Sequence, residues 1–248
     1  MASSLSSWPG RRLAVDTAAA LTGGLLVLSG FVWLVSATLE PGTGFILRAV
    51  GVYLLMAVLV WRWLPQHRPQ ELFGPANRVT LARLLLAALL AGAVGAPELT
   101  ARLEWVPCLL ALAALLLDAL DGRLARRYRC ASVFGARFDM ETDAVLILVL
   151  TLLVWQSGVT GAWVVLGGLL RYLFVAAALP WPWLRAPLPP RQRRRVACAV
   201  QGGALVACLS PPLGPSLGPA LAAGALLLLG GSFALDIVWL YRNRRTPA

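Results

Sequence analysis

Eight apolar runs divide the chain, at 13–35, 45–63, 79–94, 105–120, 138–155, 162–179, 196–209 and 217–240. Each is near the ~17–25 residues that an α-helix needs to cross the hydrocarbon of a bilayer, and this limits the fold more than any other feature. The runs at 79–94 and 196–209 carry the weakest apolar signal. A chain that is 59% hydrophobic and 13% charged, with a mean hydropathy of +0.75, is membrane-embedded rather than a soluble domain. The expected fold is an all-α integral membrane protein of about eight transmembrane helices.

The charges fall between the runs and alternate from side to side. All 22 basic residues are arginine, against 11 acids. Arg11 and Arg12, then Arg62, Arg68 and Arg78, then Arg123 to Arg137, then Arg185 and Arg191 to Arg195, then Arg242 to Arg245 share one side. The opposite connections hold Glu40, Glu98, Glu104 and only Arg102. The positive-inside rule therefore puts both termini and the arginine-rich connections in the cytoplasm, and an even helix count is required. Arginines placed in this way serve the inner membrane face, so nucleic acid is not an expected partner. The first apolar run lacks a cleavage site after a short core and is expected to be retained. The expected location is the inner membrane of a bacterial cell. Ten tryptophans gather near span ends as an aromatic belt. Cys108, Cys130, Cys198 and Cys208 have no metal-ligand spacing and are expected to be small buried thiols. Pro180 to Pro190 is a linker, and Gly74-Pro75 makes a turn before the third span.

Five of the eleven acids lie between Asp118 and Asp143. On a helix, Asp118, Asp121, Gly122 and Ala125 stand at i, i+3, i+4 and i+7, one face carrying two carboxylates and two small residues. Gly135, Asp139 and Asp143, at i, i+4 and i+8, form a second stripe. If residues 127–134 form a short reversal, the stripes face each other and four carboxylates converge. Such crowding requires bound cations or shared protons, unless the acids belong to an Asp–Arg cluster that merely fastens helix ends. Oxygen ligands without nearby Cys or His favour hard ions, Mg²⁺ or Mn²⁺.

The pattern D-x2-D-G-x2-A-R-x8-G-x3-D-x3-D, complete here from Asp118 to Asp143, resembles the signature of the CDP-alcohol phosphotransferase (CDP-alcohol phosphatidyltransferase) family. Asn77-x2-Thr80-x2-Arg83 is similar to the element that opens that family's first core helix. The resemblance covers about residues 77–241, six helices, and leaves two more ahead of it. It implies a domain division into 1–64, two added N-terminal helices, and 65–248, a six-helix catalytic membrane domain. It also implies a two-cation site with Asp118, Asp121 and Asp139 as principal ligands. Asp143 would touch the second cation and act as general base on the alcohol. Gly122, Ala125 and Gly135 would let the CDP group approach the backbone, and Arg126 would pair with its diphosphate. The implied reaction moves a phosphatidyl group from CDP-diacylglycerol to a small polar alcohol and releases CMP. The implied assembly is a homodimer.

Other polar residues carry lesser expectations. Arg171 either contacts a phosphate-bearing acceptor or snorkels. Arg83 either caps the cavity or anchors its helix. Glu141 stands off the acidic stripe and is read as structural, Asp236 is expected to pair with a terminal arginine, and His67 lies in a polar linker with no role assigned. With Arg83, Arg137, Arg171 and Arg191 to Arg195 on the cytoplasmic side, the charge balance leans toward an anionic acceptor such as glycerol 3-phosphate or an inositol phosphate. Two rivals remain at this stage. A CDP-alcohol could be the donor with diacylglycerol as acceptor, through the same site. A divalent-cation transporter would instead place acids deep in several spans, and here they gather in one stretch.

Overall fold

A computed structural model describes residues 10–67, 69–127, 132–186, 188–189 and 191–244, with the backbone alone at 119–127 and 214. The described residues are helical, without strands. In order they form α1 (Arg11–Leu39), α2 (Thr43–Trp63), α3 (Pro75–Ala93), α4 (Pro97–Arg102), α5 (Val106–Arg127), α6 (Val133–Gln156), α7 (Val165–Ala177), α8 (Gln192–Leu209) and α9 (Gly214–Asn243). Every apolar run becomes a helix. Among the described residues, α1, α2 with its 3₁₀ extension to His67, α3, and α9 from Pro215 onward are each long and apolar enough to span a membrane. The 106–118 and 162–177 segments are shorter apolar helices. In α6 and α8 the charges at one end, Arg137 to Asp143 and Arg193 to Arg195, shorten the apolar stretch.

Local chemistry sets the helix ends. Gly74 has φ +85, a left-handed conformation that a Cβ disfavours, and Pro75 behind it occupies the first helical turn, where its missing N–H costs nothing. This is the expected turn before the third span. Between α3 and α5 the chain forms the unforeseen helix α4. Pro97 begins it, Glu98 stands in its first turn and Arg102 in its last, complementing the helix dipole. Six residues are too few for an apolar period to reveal. Similarly, the proline-rich linker contains a 3₁₀ turn at Pro182–Arg185.

The chain forms two compact units, residues 1–146 and 147–248. In the first, α3 is the hub against which α1, α2 and α5 pack. Of the four long apolar helices it is the most enclosed, which explains its weak hydropathy: a helix surrounded by protein can carry Asn77, Thr80 and Arg83, all buried. Lipid tails are as apolar as leucine, so helix association in a bilayer relies on close packing and interhelical hydrogen bonds. Both are present. Tyr53 donates from its hydroxyl to the Leu21 carbonyl at 2.6 Å. At one end of α3, Arg48 donates through Nε and Nη2 to the Gly92 carbonyl, at 3.2 and 3.1 Å. At the other, Asp16 of α1 accepts the Phe73 N–H at 2.9 Å and pairs with Arg78 at 2.8 Å. The outward faces of α1 and α2 expose Leu26, Trp33, Leu47 and Val58, as a lipid-facing surface should.

The second unit holds the end of α6 with α7, α8 and α9, and α8 lies along α9. Ala178, Leu184 and Leu240 form a small core with Phe174, Trp183 and Trp239 around it. Asp236, expected beside a terminal arginine, instead pairs with Arg193 and Arg194 of α8. The reason is register: Asp236 faces α8, whereas Arg244 at the chain's end lies over the Tyr241 ring, 3.9 Å from its centroid. Cys108 and Cys208 are buried as expected, Cys198 is exposed, none of the three forms a disulfide, and Cys130 lies outside the described residues.

Candidate active site

Three helices of the first unit build the site. Arg83 stands on α3 with its side chain only 1% exposed. Its Nη2 lies 3.0 Å from Asp118 Oδ1 on α5, and its Nη1 lies 2.5 Å from Asp139 Oδ1 on α6. Nη2 also pairs with Asp143 Oδ1, one turn further along α6. The guanidinium is buried while the three carboxylates are 46%, 38% and 44% exposed, so they form an open rim over a cationic floor. Arginine suits that position because its planar fork holds several oxygens at once and keeps its charge when desolvated.

Asp118, Asp139 and Asp143 each offer a carboxylate oxygen, and these lie within 4.8 Å of one another. Among the described side chains, one guanidinium against three carboxylates leaves two negative charges, which a single divalent cation would balance. The donors are all oxygen, with no Cys or His in the cluster, which fits a hard ion. The side chains of Asp121, Gly122, Ala125 and Arg126 lie outside the described residues; their backbone continues α5. Glu141 is not in the cluster.

The start of α6 is equally well determined. Ser132 caps it, its hydroxyl oxygen accepting the Gly135 N–H at 3.0 Å. A Cβ on Gly135 would stand 2.9 Å from Asn77 Oδ1 and 3.2 Å from Ser132 Oγ, so the glycine permits close approach of α3 and α6. Asn77 is itself buried and donates to the Phe73 carbonyl. Two members of the Asn77-Thr80-Arg83 element thus meet α6, one at Gly135 and one at the acids.

Several expectations shift here. Arg83, read as a cap or an anchor, is the cation shared by three acids. Arg137 lies over the Trp63 ring, 4.4 Å from its centroid. Arg193 and Arg194 serve Asp236, and Arg193 also donates to Ser232. His67, assigned no role in a polar linker, is 1% exposed and hydrogen-bonded through both ring nitrogens. Arg83 was legible as the last member of its motif. Nothing in the sequence marked His67, because its partners lie at 72 and 132.

The fold and site define a helical membrane protein in which three carboxylates, able to hold a cation, meet between helices. The chain matches the CDP-alcohol phosphatidyltransferase family over residues 73–234 and belongs to it. It is accordingly a transferase of phosphate-containing groups, in a family that is generally divalent-cation dependent and pairs CDP-alcohol lipid donors with alcohol acceptors. No curated protein and no solved structure matches the chain.

Proposed function

We propose that this membrane enzyme transfers a phosphatidyl group from CDP-diacylglycerol to a small polar alcohol, releasing CMP. The observation that carries the reading is the cluster of Asp118, Asp139 and Asp143 around Arg83, inside the segment matched to the family. Asp118, Asp121 and Asp139 would hold two cations, Mg²⁺ or Mn²⁺, with Asp143 touching the second. When bound, such ions neutralise the diphosphate and stabilise the departing CMP phosphate. Asp143 takes the proton from the acceptor hydroxyl, and its 44% exposure supports that role because substrate can reach it. The alcohol oxygen bonds to the phosphorus bearing diacylglycerol, the bond from that phosphorus to the CMP oxygen breaks, and Asp143 keeps the proton. Arg126 pairs with the diphosphate, while Gly122, Ala125 and Gly135 keep side chains out of the nucleotide's way.

Residues 1–64 form an accessory helix pair and 65–248 the catalytic domain. The enzyme works as a homodimer in the cell membrane, with both termini and the site on the cytoplasmic side, as the arginine distribution supports. The acceptor is anionic, glycerol 3-phosphate or an inositol phosphate. Support for that is the excess of arginine that the sequence places on the cytoplasmic side, Arg171, Arg191 and Arg195 among them. The transporter reading gains no support: Asp16 and Asp236, the acids in other spans, are both ion-paired.

The test is CMP release by purified protein given CDP-diacylglycerol and a panel of alcohols. Release should stop with EDTA, return with Mg²⁺ or Mn²⁺, and be absent in a folded Asp121→Asn variant. Full turnover of that variant in metal-free buffer would sink the two-cation reading. Turnover only with a CDP-alcohol and diacylglycerol would reverse donor and acceptor.

A further inference from the structure

His67 is the chain's single histidine, and its surroundings give both ring nitrogens a task. Nε2 lies 2.9 Å from the Leu72 carbonyl oxygen. A carbonyl only accepts, so Nε2 carries a proton. Nδ1 lies 2.7 Å from Ser132 Oγ, the atom that accepts the Gly135 N–H at the start of α6. With a neutral ring, the Ser132 hydroxyl donates to Nδ1. The donors then run in one direction: Gly135 N–H to Ser132, Ser132 to His67, His67 to Leu72. Hydrogen bonds aligned in this way polarise one another. The ring also packs against Phe134, centroids 4.9 Å apart, and Phe134 lies 6.1 Å from both Phe73 and Phe138. Next to Leu72, Phe73 is held from the other side by Asp16.

Gly135 precedes Asp139 by one turn and Asp143 by two. Turning or shifting the first turn of α6 therefore moves both carboxylates against Arg83 and Asp118. A serine hydroxyl rotates freely unless something orients it. Here that is His67. We propose that His67 is a positioning residue for the cation site, acting through Ser132 to set the register of α6. This rests on the reading of Asp139 and Asp143 as cation ligands.

Two conservative variants separate this role from simple packing. Asn at position 67 can place its amide oxygen near the position of Nδ1 and still accept from Ser132; Gln can place its amide nitrogen near Nε2 and hold only Leu72. The full chain, purified in detergent, is examined as His67→Asn, His67→Gln and Ser132→Ala. Mn²⁺ affinity is measured by calorimetry, and hydrogen exchange over 133–139 in metal-free buffer. His67→Gln and Ser132→Ala should weaken Mn²⁺ binding by roughly tenfold, as loss of support behind a ligand does, and should speed exchange in that segment. His67→Asn should remain close to wild type in both. A His67→Gln protein with wild-type exchange and affinity, or a His67→Asn protein as impaired as it, would overturn the proposal. Wild-type protein that binds no Mn²⁺ would overturn the cation reading and the positioning role with it. The exchange pattern tells that failure apart from a failure of the cap.

Discussion

Arg83 and Asp143 have opposite duties within one cluster. Arg83 holds three acids, and its loss leaves them facing each other without compensation. A fully buried ion pair broken on one side costs about 3–5 kcal/mol, but these acids are 38–46% exposed, so water screens part of the repulsion. Arg83→Gln is expected to cost about 1–2 kcal/mol in EDTA and to regain much of that in millimolar Mn²⁺, read by thermal unfolding in detergent. Identical losses with and without metal would show that the acids do not feel one another. Asp143→Asn should act on a different quantity. It should depress kcat far more than nucleotide affinity, because on the proposed role what disappears is proton removal. Normal turnover with tenfold weaker nucleotide binding would assign Asp143 to capture instead.

At the scale of elements, α1 and α2 supply no acid to the cluster and pack on α3. From the sequence, a chain beginning at Pro65 should keep the cation site. The structure adds a cost. Such a chain loses Asp16, which holds Phe73 and Arg78, and Trp63, which lies under Arg137. It is expected to bind Mn²⁺ but to unfold at lower temperature, with Asp16→Asn in the full chain reproducing part of the shift by removing the Arg78 charge pair. An Mn²⁺ affinity unchanged by truncation together with an unchanged unfolding temperature would make both contacts incidental.

For the whole molecule, the open matter is the acceptor. Arg171 is the basic residue of α7 and is partly buried; on the proposal that it meets a phosphate-bearing acceptor, a charged hydrogen bond there contributes about 1.5–3 kcal/mol. Arg171→Ala should therefore raise KM for glycerol 3-phosphate by roughly ten- to a hundredfold, with kcat little changed. Turnover with choline, indifferent to this substitution, would exclude an anionic acceptor.

The order of the helices, the class of protein and the acidic stripes were all legible in the chain, because hydropathy and the 3.6-residue period are local properties. Eight apolar runs became eight helices, and Asp118, Asp139 and Asp143 came together, while the side chain of Asp121, the fourth acid of the expected stripes, lies outside the described residues. Partners chosen across the fold were not legible. Asp236 turned to Arg193 and Arg194, Arg137 to Trp63, and His67 to Leu72 and Ser132. α3 looked weak in sequence because its polar residues are enclosed by other helices. Which polar groups meet depends on helix register and crossing, settled only when the helices pack, and a linear pattern holds no record of it.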